Sequence, residues 1–378
     1  MVNNRTTGTP PGSRAMRPSV GPAPRGMGGN EPVTLPSLRV IPRWASAILF
    51  LLAFVAVASA AFGTRGIRAA LEGVVVGSVY VLGASGLSLT YAIKKFANFA
   101  HGDLMTAGAY VAFTVNVVAG GDILLAGLAA LLAIGFVGIV LEIAIFRRLE
   151  NRPAVAALIA SVGVALVIQN VISAIFTPDV RYLNVTVPPD IGGLSINPVE
   201  ILTLVTSVAM IAFLHLLLQY TTLGKSMRAC ADDLELARTS GIDTRRVTMW
   251  TWMISGAFAG IAGVLLAVIV NVTPYLGFFV LLYIFAAVII GGIGSPYGAM
   301  LGGLIVGIVQ KVSNVGFDAL RQTGVLEGGA EYEPAGAFLV MILVLLFMPQ
   351  GIMGSARGLG FGGLARRLRR KGVAEPGP

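Results

Sequence analysis

The sequence predicts an all-α, polytopic membrane protein of about ten transmembrane helices. Three observations carry that expectation. Apolar residues (Ala, Val, Ile, Leu, Met, Phe, Trp, Tyr, Cys) make up 56% of the 378 residues and charged residues only 12%. A soluble domain carries about 25% charged residues. Mean hydropathy is +0.83, and the apolar runs are continuous, whereas a β-barrel needs alternating segments of about 10 residues. Broken or half-spanning helices and an inverted repeat both fit the pattern.

The formal charge of +9 would suggest nucleic acid in a soluble protein. Here the basic residues collect in the tails and in particular loops, the distribution that orients a membrane protein. Cys230 is the sole cysteine and His101 and His215 the sole histidines. That rules out a disulfide framework or cysteine-based zinc site within one chain, and no metal or other cofactor is expected on it.

Taken in order, residues 1–43 are rich in Pro, Gly, Ser and Arg without apolar periodicity, and read as a disordered basic cytoplasmic tail. The membrane domain is expected over residues 44–350. Trp44–Phe62 is the first span; Ala58-Ser59-Ala60 resembles a signal-peptidase site, but the tail before it is far longer than a normal n-region, so an uncleaved span is expected. Ala69–Ile93 follows, with Arg68 and Glu72 spaced for an i,i+4 pair. Lys94 and Lys95 mark a cytoplasmic boundary. Phe96–Val118, Ile123–Phe146 and Ala154–Phe176 are the next three spans. A proline-rich outer loop over Thr177–Pro198 leads to Val199–Leu218 and then to the longest polar segment between spans, residues 219–246, whose five Lys and Arg residues place it inside. Val247–Val270, a short Gly277–Ile290, a glycine break at Gly291–Gly298, a short Ala299–Val312 and Pro334–Met348 complete the spans. Residues 351–378 form a second basic cytoplasmic tail. The second to fifth spans and the seventh to tenth are offset by an odd number of crossings, the parity of an inverted repeat. Gly256-xxx-Gly260, Gly298-xxx-Gly302 and Gly303-xxx-Gly307 are read as close packing inside one bundle.

Chemistry concentrates in Lys94–Asp103, where two lysines, Asn98, His101 and Asp103 sit amid hydrocarbon with Gly102 between. Polar groups at that depth are expensive and need a reason. On a straight helix Asn98 and His101 share a face, three residues apart. Two readings stand: these side chains cap a broken helix and satisfy its freed backbone groups, or Asn98, His101, Gly102 and Asp103 line or gate a substrate pathway. Glu142, Gln169, Asn170 and His215 are read as structural bonding groups. Gly224-Lys225-Ser226 resembles the end of a phosphate-binding loop, but Gln219 stands where that motif needs glycine, so no ATP site is expected. Further along, Asp232 is placed to cap a short helix with Glu235 three residues on, Leu234, Leu236 and Ala237 as its apolar residues, Arg238 in the last turn and Gly241 as its stop. Such a helix lies on lipid or serves as a handle for a cytoplasmic partner.

Gly86-Leu87-Ser88-Leu89-Thr90-Tyr91 followed by Asn98-Phe99-Ala100-His101-Gly102-Asp103 and Gly108-Ala109-Tyr110 resembles the most recognisable segment of the permease subunits of ABC importers for branched-chain amino acids. Gly224-Lys225-Ser226-Met227-Arg228-Ala229, with Asp232, Ala237, Gly241 and Ile242, is similar to that family's cytoplasmic coupling loop. Gly291, Gly292 and Gly294 match its late helix break more loosely. The resemblance covers roughly Ala69 to Gly354; the long N-terminal tail departs from it. It implies a non-enzymatic subunit in a bacterial or archaeal plasma (inner) membrane; the loop charges, Arg65 and Arg68 excepted, place both termini in the cytoplasm. It also implies a second related permease, two cytoplasmic ATPase subunits that bind ATP and Mg, and an extracytoplasmic binding protein. Gly224, Arg228, Asp232, Leu234, Ala237, Arg238 and Gly241 would then couple to the ATPase. Related permeases carry urea, short amides or sugars, so those substrates stay open. So do a proton-coupled carrier or channel using His101 and Asp103, and a structural scaffold.

Overall fold

The computed structural model describes residues 43–185, 197–324 and 332–353. The expected basic tails (residues 1–43 and 351–378) fall almost wholly outside these residues, as does the middle of the proline-rich loop with Pro188 and Pro189. Among the described residues there are twelve α-helices: α1 Arg43–Phe62, α2 Thr64–Lys94, α3 Ala100–Phe113, α4 Ile123–Ala144, α5 Ala154–Phe176, α6 Pro198–Tyr220, α7 Thr222–Asp232, α8 Leu234–Thr239, α9 Thr244–Ile269, α10 Leu276–Gly291, α11 Pro296–Gln322 and α12 Glu333–Phe347. Among the described residues the only extended pairing is an isolated bridge between Arg181 and Val272.

Among the described residues six helices are long and apolar enough to cross a bilayer unaided: α2, α4 with its continuation to Leu149, α5, α6, α9 and α11. Helices α1, α10 and α12 are shorter apolar elements, and α3 continues through π-turns as far as Val118. The chain is therefore an all-α, multi-pass membrane protein, and its apolar helices fall on the ten predicted spans. Helices α2 and α9 form the centre: 94% and 83% of their most apolar stretches are buried, against 22% for α5 and α6. The side chains α4, α5 and α6 leave exposed (Leu124, Leu132, Phe136, Val155, Val205, Phe213) are apolar, as a lipid-facing surface must be.

The most extensive pairings are α2 with α11 and α9 with α4. If α2 corresponds to α9, and α4 to α11, these are the same contact made twice. Five apolar helices (α3, α4, α5, α6, α9) carry the chain from α2 to α9, the odd count that the expected inverted repeat needs. The short helices α3 and α10 correspond and meet reciprocally. A methyl group at Gly102 would strike the Gly277 carbonyl, and one at Gly277 would strike the Gly102 carbonyl. That mutual relation is what a pseudo-two-fold axis produces.

Small residues set these distances. Gly256 and Gly260 lie against the backbone of Ile134 and Ala130 in α4, Gly298 and Gly302 against Gly291 and Ala287 in α10, and Gly303 and Gly307 against Val81 and Gly77 in α2. All three small-residue motifs thus pack within this chain, as expected. The apolar segment Ala299–Val312, in contrast, is not a short span. α11 runs on through Ser313, Asn314 and Asp318 to Gln322. Polarity alone does not stop a helix, and the left-handed residue that ends this one comes only at Gly324, φ +75°.

Overpacking such contacts costs about 1–3 kcal/mol or more each. Gly302→Leu and Gly307→Leu should therefore each lower the melting temperature of the purified chain or abolish its folding. Gly163→Ala should be silent, since no atom lies within 4 Å of the added carbon; fluorescence-detected melting and size exclusion report both.

Candidate functional site

The polar stretch forms a helix break. Lys95 adopts a left-handed conformation, φ 57°, and closes α2 by donating its N–H to the Tyr91 carbonyl. α3 begins only at Ala100, so Asn98 precedes the helix and does not share a face of it with His101. Its Oδ1 accepts from the Ala100 N–H at 3.1 Å, and its backbone carbonyl accepts from His101 N. Ser161 of α5 takes the Phe99 N–H at 3.0 Å. These bonds satisfy donors that a helix start leaves open in a medium without water.

His101 is fully enclosed and donates from Nε2 to the Gly83 carbonyl of α2 at 2.9 Å. Ser255 of α9 donates to the Gly86 carbonyl at 2.7 Å, and Thr106 of α3 accepts from Gly277 N at 2.8 Å. Side chains of α3 and α9 thus reach backbone groups of α2 and α10 and lock the four helices together. Asn98, His101 and Asp103 are all at most 2% exposed, and Gly102 sits at the crossing with α10. None of the four lines the cavities beside α7 or the one between α2, α6, α10 and α11. The structure brings them together as a closed polar seam. Asp103 Oδ1, His101 Nδ1 and Asn98 Nδ2 have no hydrogen-bond partner among the described residues, an uncommon concentration of unspent bonding capacity in so dry a place.

At the end of α2, Lys94 pairs with Glu142 of α4 at 2.8 Å, their side chains 8% and 2% exposed. The sequence reading took Glu142 as a structural bonding group, and it is one. Its partner was hidden because the two residues are distant in the chain. Lys95 Nζ donates to the Ala231 carbonyl of α7 at 2.8 Å. Phe96 stacks on Phe146 and Phe146 on Trp252, with ring centroids 5.2 and 4.6 Å apart. The lysines are therefore ties between elements rather than free boundary charges. The predicted Arg68–Glu72 pair is present at 3.1 Å.

The inner segment holds two helices where one was expected. Thr221 caps α7 by accepting from Gly224 N at 3.0 Å. α7 is legible in retrospect: Leu223, Met227 and Cys230 recur at i, i+4, i+7, and Met227 and Cys230 are buried. Asp232 is the last residue of α7, so it does not cap the next helix. That role falls to Asp233, whose extended backbone (φ −153°, ψ 112°) lets its carboxylate accept from Leu236 N at 2.9 Å. Gly241 ends the segment at φ +85°, a conformation glycine adopts without penalty. Arg228 donates to the Leu218 carbonyl and to Gln219 at 2.8 and 3.0 Å, which fixes α7 onto the end of α6. Ala237 is buried and Leu236 is 64% exposed. Leu234 lines a cavity of about 420 Å³ shared with Lys94, Glu150 and Arg152. Arg238 lies 3.7 Å from Glu150.

The glycine break sits alongside. Gly292 and Gly294 have φ of +107° and +82°, Gly291 packs on Gly298, and the Ile290 and Gly291 carbonyls accept from Ile352 N and Met353 N at 2.9 Å. A cavity of about 300 Å³ separates this break from α7, lined by Leu89, Met227, Arg228, Asp232 and Tyr297. Tyr297 accepts from Gln219 at 3.1 Å and its hydroxyl lies 3.1 Å from His215 Nδ1. No group of three or more His, Cys, Asp or Glu residues placed to hold a metal occurs among the described residues.

Two measurements follow. Removing one partner of a buried ion pair costs about 3–5 kcal/mol. Lys94→Met should therefore destabilise the chain strongly, and Lys94→Met/Glu142→Leu should recover most of the loss in melting experiments. Burial pushes the Cys230 thiol above its ordinary pKa, so at neutral pH it stays protonated and enclosed. Maleimide at pH 7 should label the detergent-folded chain far more slowly than the chain unfolded in dodecyl sulfate; equal rates would mean α7 is not seated on α6.

Residues 69–349 match the family model described as branched-chain amino acid transport system / permease component. The chain is 35% identical over 308 residues to the high-affinity branched-chain amino acid transport system permease protein LivH of Escherichia coli K12, covering 75% of this chain and 94% of that protein. It is 30% identical over 295 residues to a probable branched-chain amino acid transport permease protein of Methanocaldococcus jannaschii, covering 75% and 91%. A shorter match, 27% over 137 residues, joins it to the permease protein LivM of E. coli K12, covering 36% and 29%. No solved structure matches. With the family model spanning most of the chain and full-length relatives agreeing, this multi-pass membrane protein belongs to the branched-chain amino acid transport permease family.

Proposed function

We propose that the chain is the membrane-spanning permease subunit of an ABC importer in the plasma (inner) membrane. It moves branched-chain or related hydrophobic amino acids inward, both its termini are cytoplasmic, and ATP with Mg is bound and hydrolysed by separate cytoplasmic subunits. The observation that carries this reading is the family match over residues 69–349. The partners are a second, related permease, two ATPases and an extracytoplasmic binding protein. Two different E. coli permease proteins share the same transport description and both resemble this chain, which supports a paired arrangement.

The inner segment is the coupling element. Its exposed Leu236 is the apolar knob offered to an ATPase groove, while Leu234 and Arg228 are engaged within this chain. Lys95 on Ala231 and the Lys94–Glu142 pair connect that segment to α2, and α2 carries the Gly83 carbonyl that holds His101. Displacement of α7 thereby reaches the polar seam through bonded contacts. In this reading Asn98, His101, Gly102 and Asp103 form the closed gate of the pathway. Their unspent bonding groups become useful when the helices part and water or substrate enters.

The test is reconstitution of the chain with a second, related permease and two ATPase subunits from the same organism. Leucine uptake into vesicles should require internal ATP and persist when the proton gradient is collapsed. Uptake driven by the gradient without ATP would replace this reading with a carrier. Leu236→Asp should insert normally yet lose co-purifying ATPase and uptake, because a charge buried in the docked contact costs enough to weaken it by orders of magnitude. Retention of both would remove this segment from the coupling.

A further inference from the structure

Helix α5 is the least held of the six long spans. Among the described residues only α3 packs along it, and beyond α3 it meets chiefly the turn Phe146–Leu149. Its buried residues, Ala157, Ser161, Val164 and Ile172, mark one side. The opposite side carries Ile159, Gly163, Leu166 and Asn170, all exposed. Their successive spacings of four, three and four residues are those with which one helix presents a seam to another.

Two features set this seam apart from a lipid-facing surface, and α4 supplies the comparison. The exposed side chains of α4 are bulky and apolar (Leu128, Leu132, Phe136), while its Gly135 and Gly138 are turned inward onto Met253 and Trp252 of α9. On α5 the glycine is turned outward. A methyl group at Gly163 would meet no atom within 4 Å, whereas every other glycine inside a described helix has an atom of another element within that distance. The second feature is Asn170. Its Nδ2 donates to the Leu166 carbonyl of its own helix at 2.7 Å, and its Oδ1 accepts nothing among the described residues. Phe176 ends the helix about 9 Å further along the axis. The amide thus lies inside a hydrocarbon layer about 30 Å thick.

We infer that this seam is the face on which the second, related permease docks, through the corresponding helix of that subunit. The inference rests on the importer reading, which calls for such a partner. Two related subunits of the same orientation pair about an axis normal to the membrane, so like residues meet at like depth. An amide suits that arrangement, because it is both donor and acceptor toward its own kind. Gly163, two turns away on the same side, lets the two backbones approach, and close contact is what holds helices together where no hydrophobic drive exists. Lipid fits neither feature, since an acyl chain has no donor for the amide and no need of the glycine. One polar residue on an otherwise apolar seam also fixes its register.

The assembled transporter is the test material. A photoreactive benzophenone residue placed at Leu166 should crosslink to the second permease, and one placed at Leu132 of α4 to lipid. Gly163→Leu should weaken co-purification of the second permease about tenfold or more, because the added side chain holds the helices apart. Asn170→Leu should weaken it about threefold, the strength of one inter-helical hydrogen bond. Both variants should melt like the parent when this chain is purified alone, because both positions are exposed in it. A Leu166 adduct with lipid alone, or with a second copy of this chain, overturns the inference, as does undiminished pairing in both variants. ATP-dependent leucine uptake, measured on the same preparation, separates the two readings. Uptake with a lipid-only adduct rejects the interface and leaves the importer. An adduct with the second permease but no ATP-dependent uptake keeps the interface and rejects the importer.

Discussion

Backbone-to-backbone contact between helices, made where glycine removes the side chain, is the constraint from which the rest of this structure follows. Hydrocarbon offers no hydrophobic drive for helices to associate, so close van der Waals packing and inter-helical hydrogen bonds must hold the bundle. Gly73, Gly77, Gly303 and Gly307 bring α2 onto α11, and Gly256 and Gly260 with Gly135 and Gly138 bring α9 onto α4. At that separation carbonyls become reachable by side chains of a neighbouring helix. His101 finds the Gly83 carbonyl and Ser255 finds that of Gly86 for this reason. The polar seam is a consequence of the tight packing rather than an addition to it.

The same packing makes broken helices tolerable. Both α3 and α10 are short and begin after irregular connections, and both have polar neighbours that take up their first donors: Asn98 and Ser161 for α3, Thr106 for α10. Their reciprocal contact through Gly102 and Gly277 puts the two irregular regions beside one another. A structure built this way keeps its least regular backbone enclosed by protein and away from lipid. Of the two readings of Asn98 and His101 that the residues allowed, the bonds show the first, satisfaction of the break; the gate is the one proposed above. The side chains that satisfy the break are also those that any opening would have to release.

Charge is used with equal economy. The Lys94–Glu142 pair is buried and joins the end of α2 to α4, and the neighbouring Lys95 reaches α7. A buried pair of this kind is weak evidence for stability, because desolvation offsets attraction. Its value is positional, since neither charge can leave its partner without being stranded. The exposed pairs, Arg68–Glu72 and Arg246–Asp243, are ordinary surface contacts of small energetic weight.

Much of this was legible in the residues. Hydrocarbon content, glycine breaks and the placement of basic loops are local properties, and they determined the class, the ten apolar segments and the presence of a capped element between Gln219 and Arg246. Which aspartate caps α8 was missed by one residue because Asp232 and Asp233 are chemically equal, and only the backbone turn between α7 and α8 distinguishes them. The length of α11 was missed because polar side chains beyond Val312 look like a loop when their neighbours are unknown. Tertiary structure alone decided that Lys94 meets Glu142, that His101 spends its proton on a carbonyl of α2, and that Glu200, Tyr80 and Lys311 share one cavity. Those contacts join residues tens to hundreds of positions apart, and no periodicity along a chain encodes which helix a given face will meet. That choice belongs to the packing of the whole bundle.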